Sequence, residues 1–305
     1  MTTTDKPFIR CVDLFDDWAD DVLHGEPPTR YDAGPGLDHF RLSPGTVTLL
    51  GGAPGMGKTA FIMQAVVTAM VHHDDLRVCV ANVEMPPERL LERQLSRLSD
   101  VPLDDIQGRN LSASQADDLS PALETIEDIA DRLMFVRGPM TLENVAAAAD
   151  AIDAGVIVLD YIQRIRPAGR HDDKRGAVDE TMGFIRQFAD AGLAVVALSA
   201  VGRSKDKKGR SSYAGDGLSL ASFKESGELE YGADDAFLIV PVGETGDDAV
   251  VDVELRQPKS RYGKPTDITM SFDRSRQRFD VDGIEGSETA GGGGVDLASL
   301  WEDVE

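Results

Sequence analysis

Residues 49–67 read LLGGAPGMGKTAFIMQAVV: an apolar run, a cluster of glycines with one proline, a lone lysine, then an apolar run of different rhythm. Residues 52–59 fit the spacing G-x-x-x-x-G-K-[ST] at the junction of a buried strand and a helix. Glycines lack a Cβ, so successive backbone N–H groups can curl around phosphate oxygens, and the start of the helix adds partial positive charge. Gly52, Ala53, Pro54, Gly55, Met56 and Gly57 would form the cradle. Lys58 would neutralise the β and γ phosphates, and Thr59 would set its hydroxyl on Mg²⁺. The expected ligand is therefore a nucleotide with Mg²⁺.

A phosphate cradle of this kind needs a second carboxylate at a neighbouring strand end to hold the metal ion. The run VIVLD delivers Asp160 to that edge, where ligands bind in open α/β folds. An isolated strand-end aspartate would ordinarily cap a turn; beside the cradle it becomes a candidate metal ligand. Hydrolysis also needs a group to act on water. Glu84 closes the strand of VCVANVEMPPERL just before Pro86 opens a helix, so it points toward the same crevice.

The surrounding pattern must place these groups. From about Ser43, apolar strands without polar alternation (TVTLLGG, LRVCVANVE, RLMFV, VIVLD, LAVVALSA) alternate with helical stretches from Lys58, from Pro86, over 116–131, from Thr141 and near 178–191. That alternation predicts an α/β domain, a mostly parallel sheet covered by helices on both faces. The later runs AFLIVPV, AVVDVEL and ITMSF, joined by short loops, predict a C-terminal antiparallel extension. Residues 1–40 form a leader whose Val12, Phe15, Trp18, Ala19 and Val22 recur at helical spacing on an acidic background. Residues 41–283 form the main domain, and 284–305 a Gly-rich acidic tail. Val295, Leu297, Leu300, Trp301 and Val304 of the tail can share one side, though filler is the simpler reading.

Composition limits the rest. The 305 residues are 41% hydrophobic, enough for a full core. No apolar run approaches the roughly 18 residues of a membrane helix, and MTTTDKPFIR lacks the features of a secretory signal, so the expected compartment is the cytoplasm. The two cysteines, Cys11 and Cys79, show no metal-ligand spacing and suit a reducing setting. The net charge of −23 argues against a protein that coats nucleic acid with its whole surface. Yet residues 164–175, 203–210 and 256–264 hold 14 of the 31 positive charges. Such segregation predicts an anionic partner for those segments, contacted by Arg164, Arg166, Arg203, Lys205, Lys207 and Lys208. Few aromatics lie nearby, so the expected contact is with a phosphate backbone.

In order and separation, GAPGMGKT, NVEMPPERL, VIVLDYIQRI, VVALSAVGRS, FKESGELEYGADD and QPKSRYGKP resemble the RecA-like motor domain of DnaB-type replicative DNA helicases, over about residues 28–280. The resemblance implies a RecA-like P-loop NTPase fold, a homo-oligomeric ring of six subunits around single-stranded DNA, and ATP bound between subunits. It implies that Lys58, Thr59 and Asp160 bind nucleotide and Mg²⁺ and that Glu84 is catalytic. Lys259 and Arg261 then match a basic finger pair reaching into the neighbouring subunit's ATP, and Lys224, Glu225 and Gly227 a DNA-contacting motif. It implies a loader or another replication protein as partner, and no membrane. The leader helix takes the place of the linker helix that grips an adjacent subunit.

Three departures matter. Ala200 stands where the family has a glutamine that senses γ-phosphate, Lys224 stands where it has arginine, and the leader holds no counterpart of its N-terminal helical domain. Two functions follow. The first is an ATP-dependent ring helicase or translocase on single-stranded DNA; the second is a DnaB-like ATPase without robust unwinding, an ATP-controlled assembly or loading module. A RecA-like recombination ATPase accounts less well for EMP and KSRYG together.

Overall fold

The structure, a computed structural model, describes residues 8–166, 174–202, 204–205, 211–212, 218–223, 231–243 and 248–282. The chain divides after Arg30 into two compact units. In the first, helix α1 (Cys11–His24) carries Val12, Phe15, Trp18 and Val22 exposed, with the Phe15 and Trp18 rings 5.8 Å apart.

The second unit is built on a nine-stranded sheet in the order β11-β10-β9-β8-β1-β5-β4-β2-β3. In chain order, strand β1 (Val47–Gly52) leads into helix α2 (Lys58–His72), and β2 (Val78–Asn82) into α3 (Pro87–Ser99). Helices α4 (Leu103–Gly108) and α5 (Ala113–Ile129) precede β3 (Leu133–Phe135). Then come α6 (Leu142–Ala151), β4 (Val156–Asp160), α7 (Lys174–Asp190) and β5 (Ala194–Leu198). A two-stranded ribbon of β6 (Ser204–Lys205) and β7 (Ser211–Ser212) follows, and then β8 (Asp235–Pro241), β9 (Val250–Ser260), β10 (Ile268–Asp273) and β11 (Arg278–Val281).

Strands β8, β1, β5, β4, β2 and β3 run parallel, and β9, β10 and β11 add antiparallel pairs. The run AFLIVPV therefore belongs to the parallel part, and the antiparallel extension begins at β9. Successive side chains point to opposite faces, so each parallel strand feeds two cores. Leu50, Val78, Val80, Val156, Val158 and Val196 pack under α2 and α3. Leu49, Cys79, Ala81, Ile157, Leu159 and Val195 pack under α6 and α7. Both faces are dry, which is why these strands show no polar alternation. β9 differs: Val251, Val253 and Leu255 turn inward between exposed or half-exposed neighbours, the signature of a strand wet on one side. Helix α2 is apolar nearly all round because it lies across the sheet centre with Phe61, Ile62, Val66 and Met70 buried.

Leu37 and Phe40 also belong to this core, with the Phe40 ring 5.0 Å from Phe61 and 5.1 Å from Phe237. Cys79 is buried and its thiol pushed up to about 12 by burial, while Cys11 is exposed; both are free thiols. Among the described residues, no helix is long and apolar enough to cross a membrane.

Candidate functional site

β1 ends in a loop that needs its glycines. Gly52, Gly55 and Gly57 have φ of 156°, 77° and 76°, the left-handed region that favours glycine. A Cβ on Gly57 would lie 2.7 Å from the Phe272 ring, and one on Gly52 would lie 2.8 Å from the Ile239 carbonyl oxygen. Beyond the loop, α2 opens with its first N–H groups unused by the helix, aimed at a cavity of about 360 Å³. Pro54, Gly55, Gly57, Lys58, Thr59 and Glu84 line this cavity, with Met85, Arg93, Asp160, Tyr161 and Ala200 completing it.

Within it, Lys58 Nζ donates to the carbonyl oxygens of Gly52 at 2.9 Å and Ala53 at 3.2 Å. Burial pulls this ammonium below its ordinary pKa, and the carboxylates of Asp160 and Glu84 oppose that shift. Thr59 Oγ1 donates to Asp160 Oδ2 at 2.7 Å, and Asn82 Nδ2 donates to the same oxygen at 2.5 Å. Burial pushes the Asp160 carboxyl up to about 6; the Thr59 hydrogen bond lowers it and Glu84 raises it further. The Asn82 side chain also accepts from the N–H groups of Glu84 and Met85, each at 2.9 Å. It thereby ties the turn that bears Glu84 to the carboxylate of the next strand. Hydroxyl and carboxylate oxygens beside a lysine and a backbone cradle suit a hard divalent cation and the phosphates it would accompany.

Lys259 and Arg261 lie elsewhere. Lys259 is opposite Ala236 in the β8–β9 pairing and Ser260 is opposite Asp235, which is itself level with Thr48 at the start of β1. That is four strand residues from Gly52, roughly 13 Å. Here Arg261 Nη1 donates to Asp234 Oδ1 at 2.6 Å and its backbone N–H to the Asp234 carbonyl oxygen at 2.9 Å. The other oxygen of fully buried Asp234 accepts from Arg186 Nη1 at 2.7 Å and from the Val47 N–H at 2.8 Å. About half of the Arg261 side chain stays exposed (46%).

The DnaB-like helicase C terminal domain family matches residues 37–281. The chain belongs to this family. It is similar to the replicative helicase DnaB of Helicobacter pylori strain J99, 24% identical over 205 residues, covering 65% of this chain and 41% of that protein. It is similar to DnaB of Buchnera aphidicola (subsp. Schizaphis graminum), 25% identical over 247 residues and covering 78% of this chain and 52% of the other. The chain thus spans about half the length of the curated relatives it matches. Among solved structures it resembles a DnaB-like replicative helicase solved together with a description of its interactions with primase. The TM-score is 0.72 at 19% identity, covering 91% of this chain and 68% of that one. A KaiC-like protein of Pyrococcus horikoshii has a TM-score of 0.54 at 17% identity, covering 84% of this chain and 99% of that one. These likenesses show the RecA-like ATPase fold.

Two further residues of this DnaB-like domain stand at the site without having been singled out from the sequence. Asn82 is one. Arg93 is another: it lines the cavity from α3, its guanidinium held below its ordinary pKa by burial against the pull of Asp160 and Glu84. Its sequence signal is faint, an arginine between buried Leu90 and Gln94 on a helix that starts beside Glu84. At the departure marked by Ala200, Gln163 occupies the backbone. Its Nε2 donates to Ser199 Oγ at 2.6 Å and its Oε1 accepts from the Ala200 N–H at 3.3 Å.

Arg164 and Arg166 are exposed just beyond the end of β4, on the same sheet edge as the cavity. Lys205 lies in the β6–β7 ribbon, where its backbone pairs with Ser211. Arg203, Lys207, Lys208, Lys224, Glu225, Gly227 and the tail 284–305 lie outside the described residues.

Proposed function

We propose that the chain is an ATP-dependent helicase or translocase of the DnaB-like type, working as a homo-oligomeric, hexameric ring on single-stranded DNA in the cytoplasm. The observation that carries this reading is the convergence of Lys58, Thr59, Glu84 and Asp160 on one cavity at the loop edge of the sheet. Gly52, Ala53, Pro54, Gly55, Met56 and Gly57 wrap the phosphates, and Lys58 leaves its loop carbonyls to neutralise them. Thr59 and Asp160 would hold Mg²⁺. Bound Mg²⁺ and ATP would supply the phosphoryl group and part of its charge neutralisation. Glu84, exposed at the mouth of the cavity, orients and deprotonates water.

The distance of Arg261 from its own cavity supports a site completed by another copy, whose Lys259 and Arg261 reach in to stabilise developing charge. The exposed Arg164 and Arg166 support backbone contact with single-stranded DNA, which Arg203, Lys205, Lys207, Lys208, Lys224, Glu225 and Gly227 would extend. In this reading residues 1–40 carry the linker-type helix, 41–283 the ATPase, and 284–305 a tail. A loader or other replication protein would place the ring on DNA.

The test is the ATPase rate with and without single-stranded DNA. Turnover that rises with DNA is the expected result; no turnover under either condition overturns the motor. A second reading, an ATP-controlled assembly or loading module, is favoured by Ala200, which lines the cavity with a methyl group that cannot report on phosphate. Unwinding of a forked duplex separates the two: the module hydrolyses ATP and leaves the fork intact.

A further inference from the structure

A second cavity, of about 300 Å³, opens between α2, α3 and β11, lined in part by Gln64, Thr68, His72, Arg97 and Arg278. It is remote from the loop at Lys58. Gln64, Thr68 and His72 step along one face of α2, and Thr68 lies ten residues beyond Lys58, roughly 15 Å down the helix.

The charges in this cavity do not balance. Arg97 Nε donates to the Gln94 side chain at 2.8 Å, but its Nη2 is sealed from water without a hydrogen-bond partner among the described residues. No described carboxylate pairs with it. Burial, and after it the positive charge of Arg278, push the Arg97 guanidinium down to about 10. Arg278 has its own partners: Nη1 donates to Asp100 Oδ1 at 2.7 Å and Nε to Asp280 Oδ2 at 3.0 Å. His72 Nδ1 is 3.0 Å from Asp32 Oδ2, so that carboxylate is engaged as well. A guanidinium N–H closed off from water without a partner is unfavourable, since polar groups enclosed in proteins are ordinarily paired. Arg97 itself lines the cavity and is half-buried, and a guanidinium in a cavity wall recognises a carboxylate or phosphate.

We propose that this cavity is an anion-binding site in which Arg97, flanked by Arg278, takes a carboxylate or phosphate group. Ala33, Leu37, Met270 and Val281 line the same cavity, so a ligand with a small apolar body beside its anionic group fits better than a bare polyanion. The shared chemistry has two sources. One is a small anionic solute. The other is the acidic stretch that follows β11 in the sequence, with Glu285, Glu288, Asp296, Glu302, Asp303 and Glu305. Because α2 also begins with Lys58 and Thr59, an anion bound here bears on the far end of the helix that serves the first cavity.

The experiment follows thermal unfolding of the full chain as inorganic phosphate replaces chloride at constant ionic strength. Phosphate also binds glycine-loop sites, so the quantity read is the difference between the wild-type chain and Arg97→Met, which keeps that loop. A saturable rise of about 2 to 4 °C in the wild type over Arg97→Met is expected at phosphate well above its dissociation constant. It identifies a solute site. If the wild type matches Arg97→Met but a chain with the six tail carboxylates changed to amides gains the rise, the anion is the chain's own tail. If neither chain exceeds its Arg97→Met counterpart, the proposal is wrong.

Should Arg97→Met fail to fold, Thr68→Glu replaces it, setting a carboxylate in the cavity from α2. It is expected to raise the midpoint without phosphate and to abolish the phosphate-specific rise. A Thr68→Glu chain that is less stable and still responsive overturns the proposal.

Discussion

At its start β1 is clamped by an ion network in which every partner is engaged: buried Asp234 holds Arg186, Arg261 and the Val47 N–H. At its end the same strand opens into a cavity where, among the described residues, Lys58 bonds only backbone carbonyls and Arg93 faces Asp160 and Glu84 without a hydrogen bond to either. The two ends are built from the same residue types. What separates the Asp234 network from the cavity is satisfaction: the network pairs both carboxylate oxygens and stabilises the fold, whereas the open end keeps its charges poised at a cost in desolvation, as functional sites do. The closed end still offers one accessible flank, because about half of the Arg261 side chain is exposed.

The largest effect expected at the open end is from Glu84→Gln. Nucleotide affinity, read by a fluorescent analogue, stays within a few-fold while turnover falls about 10² to 10⁴-fold; an unchanged rate removes Glu84 from the chemistry. At the closed end Asp234→Asn leaves two guanidinium groups facing a neutral amide. Since both arginines are partly in water, the cost by chemical denaturation is about 2 to 4 kcal/mol, less than for a fully buried pair. A loss below about 0.5 kcal/mol would mean that the network is ornamental.

Arg261→Ala joins the two ends. It should fold and bind nucleotide, yet turn over at least about 10-fold more slowly, as expected for a lost charge clamp on phosphate. Mixing it with Lys58→Ala should restore part of the rate, because some mixed interfaces contain one intact cavity and one intact arginine. No rescue on mixing would place Arg261 in its own copy's chemistry, against its position at the opposite edge.

The smallest effect is a gain. In the chain free of metal and nucleotide the Asp160 carboxyl titrates at about 6, against an ordinary value of 3.8. Folding therefore takes up a proton between those values, and stability falls as pH rises through that window. Asp160→Asn cannot ionise and should be more stable than the wild type at pH 8 by about 1 to 2 kcal/mol, part of the charge cost being offset by weaker bonds to Thr59 and Asn82. The gain should vanish near pH 4. An equal gain at both pH values would trace it to packing.

These two ends were unequally legible from sequence. The loop and the strands around it announce themselves, because phosphate binding restricts spacing and a strand buried on both faces must be apolar throughout. α4 and β11 were not foreseen: LDDIQG is too short and polar for a periodic signal, and RFDV is framed by charge. Arg89, Arg93 and Arg97 recur every four residues on α3, and spacing alone sets them on one face. In the structure Arg89 faces water and pairs with Glu92, Arg93 lines the first cavity and Arg97 the second. Helical periodicity tells which side chains align, but not what the neighbouring elements leave open to each of them. Asn82 was invisible for a related reason, since its value lies in bonds to a strand and a turn distant in sequence.

Gln64 has a consequence beyond the second cavity. Its side-chain amide donates to the Phe279 carbonyl oxygen at 2.7 Å and accepts from the Phe279 N–H at 2.8 Å, as a backbone peptide unit of a tenth strand would. β11 is one edge of the sheet, and an open edge is a template for pairing with another chain. One glutamine on α2 therefore occupies the outward-facing peptide groups of Phe279, so that a strand from a neighbouring molecule cannot pair there at the antiparallel flank.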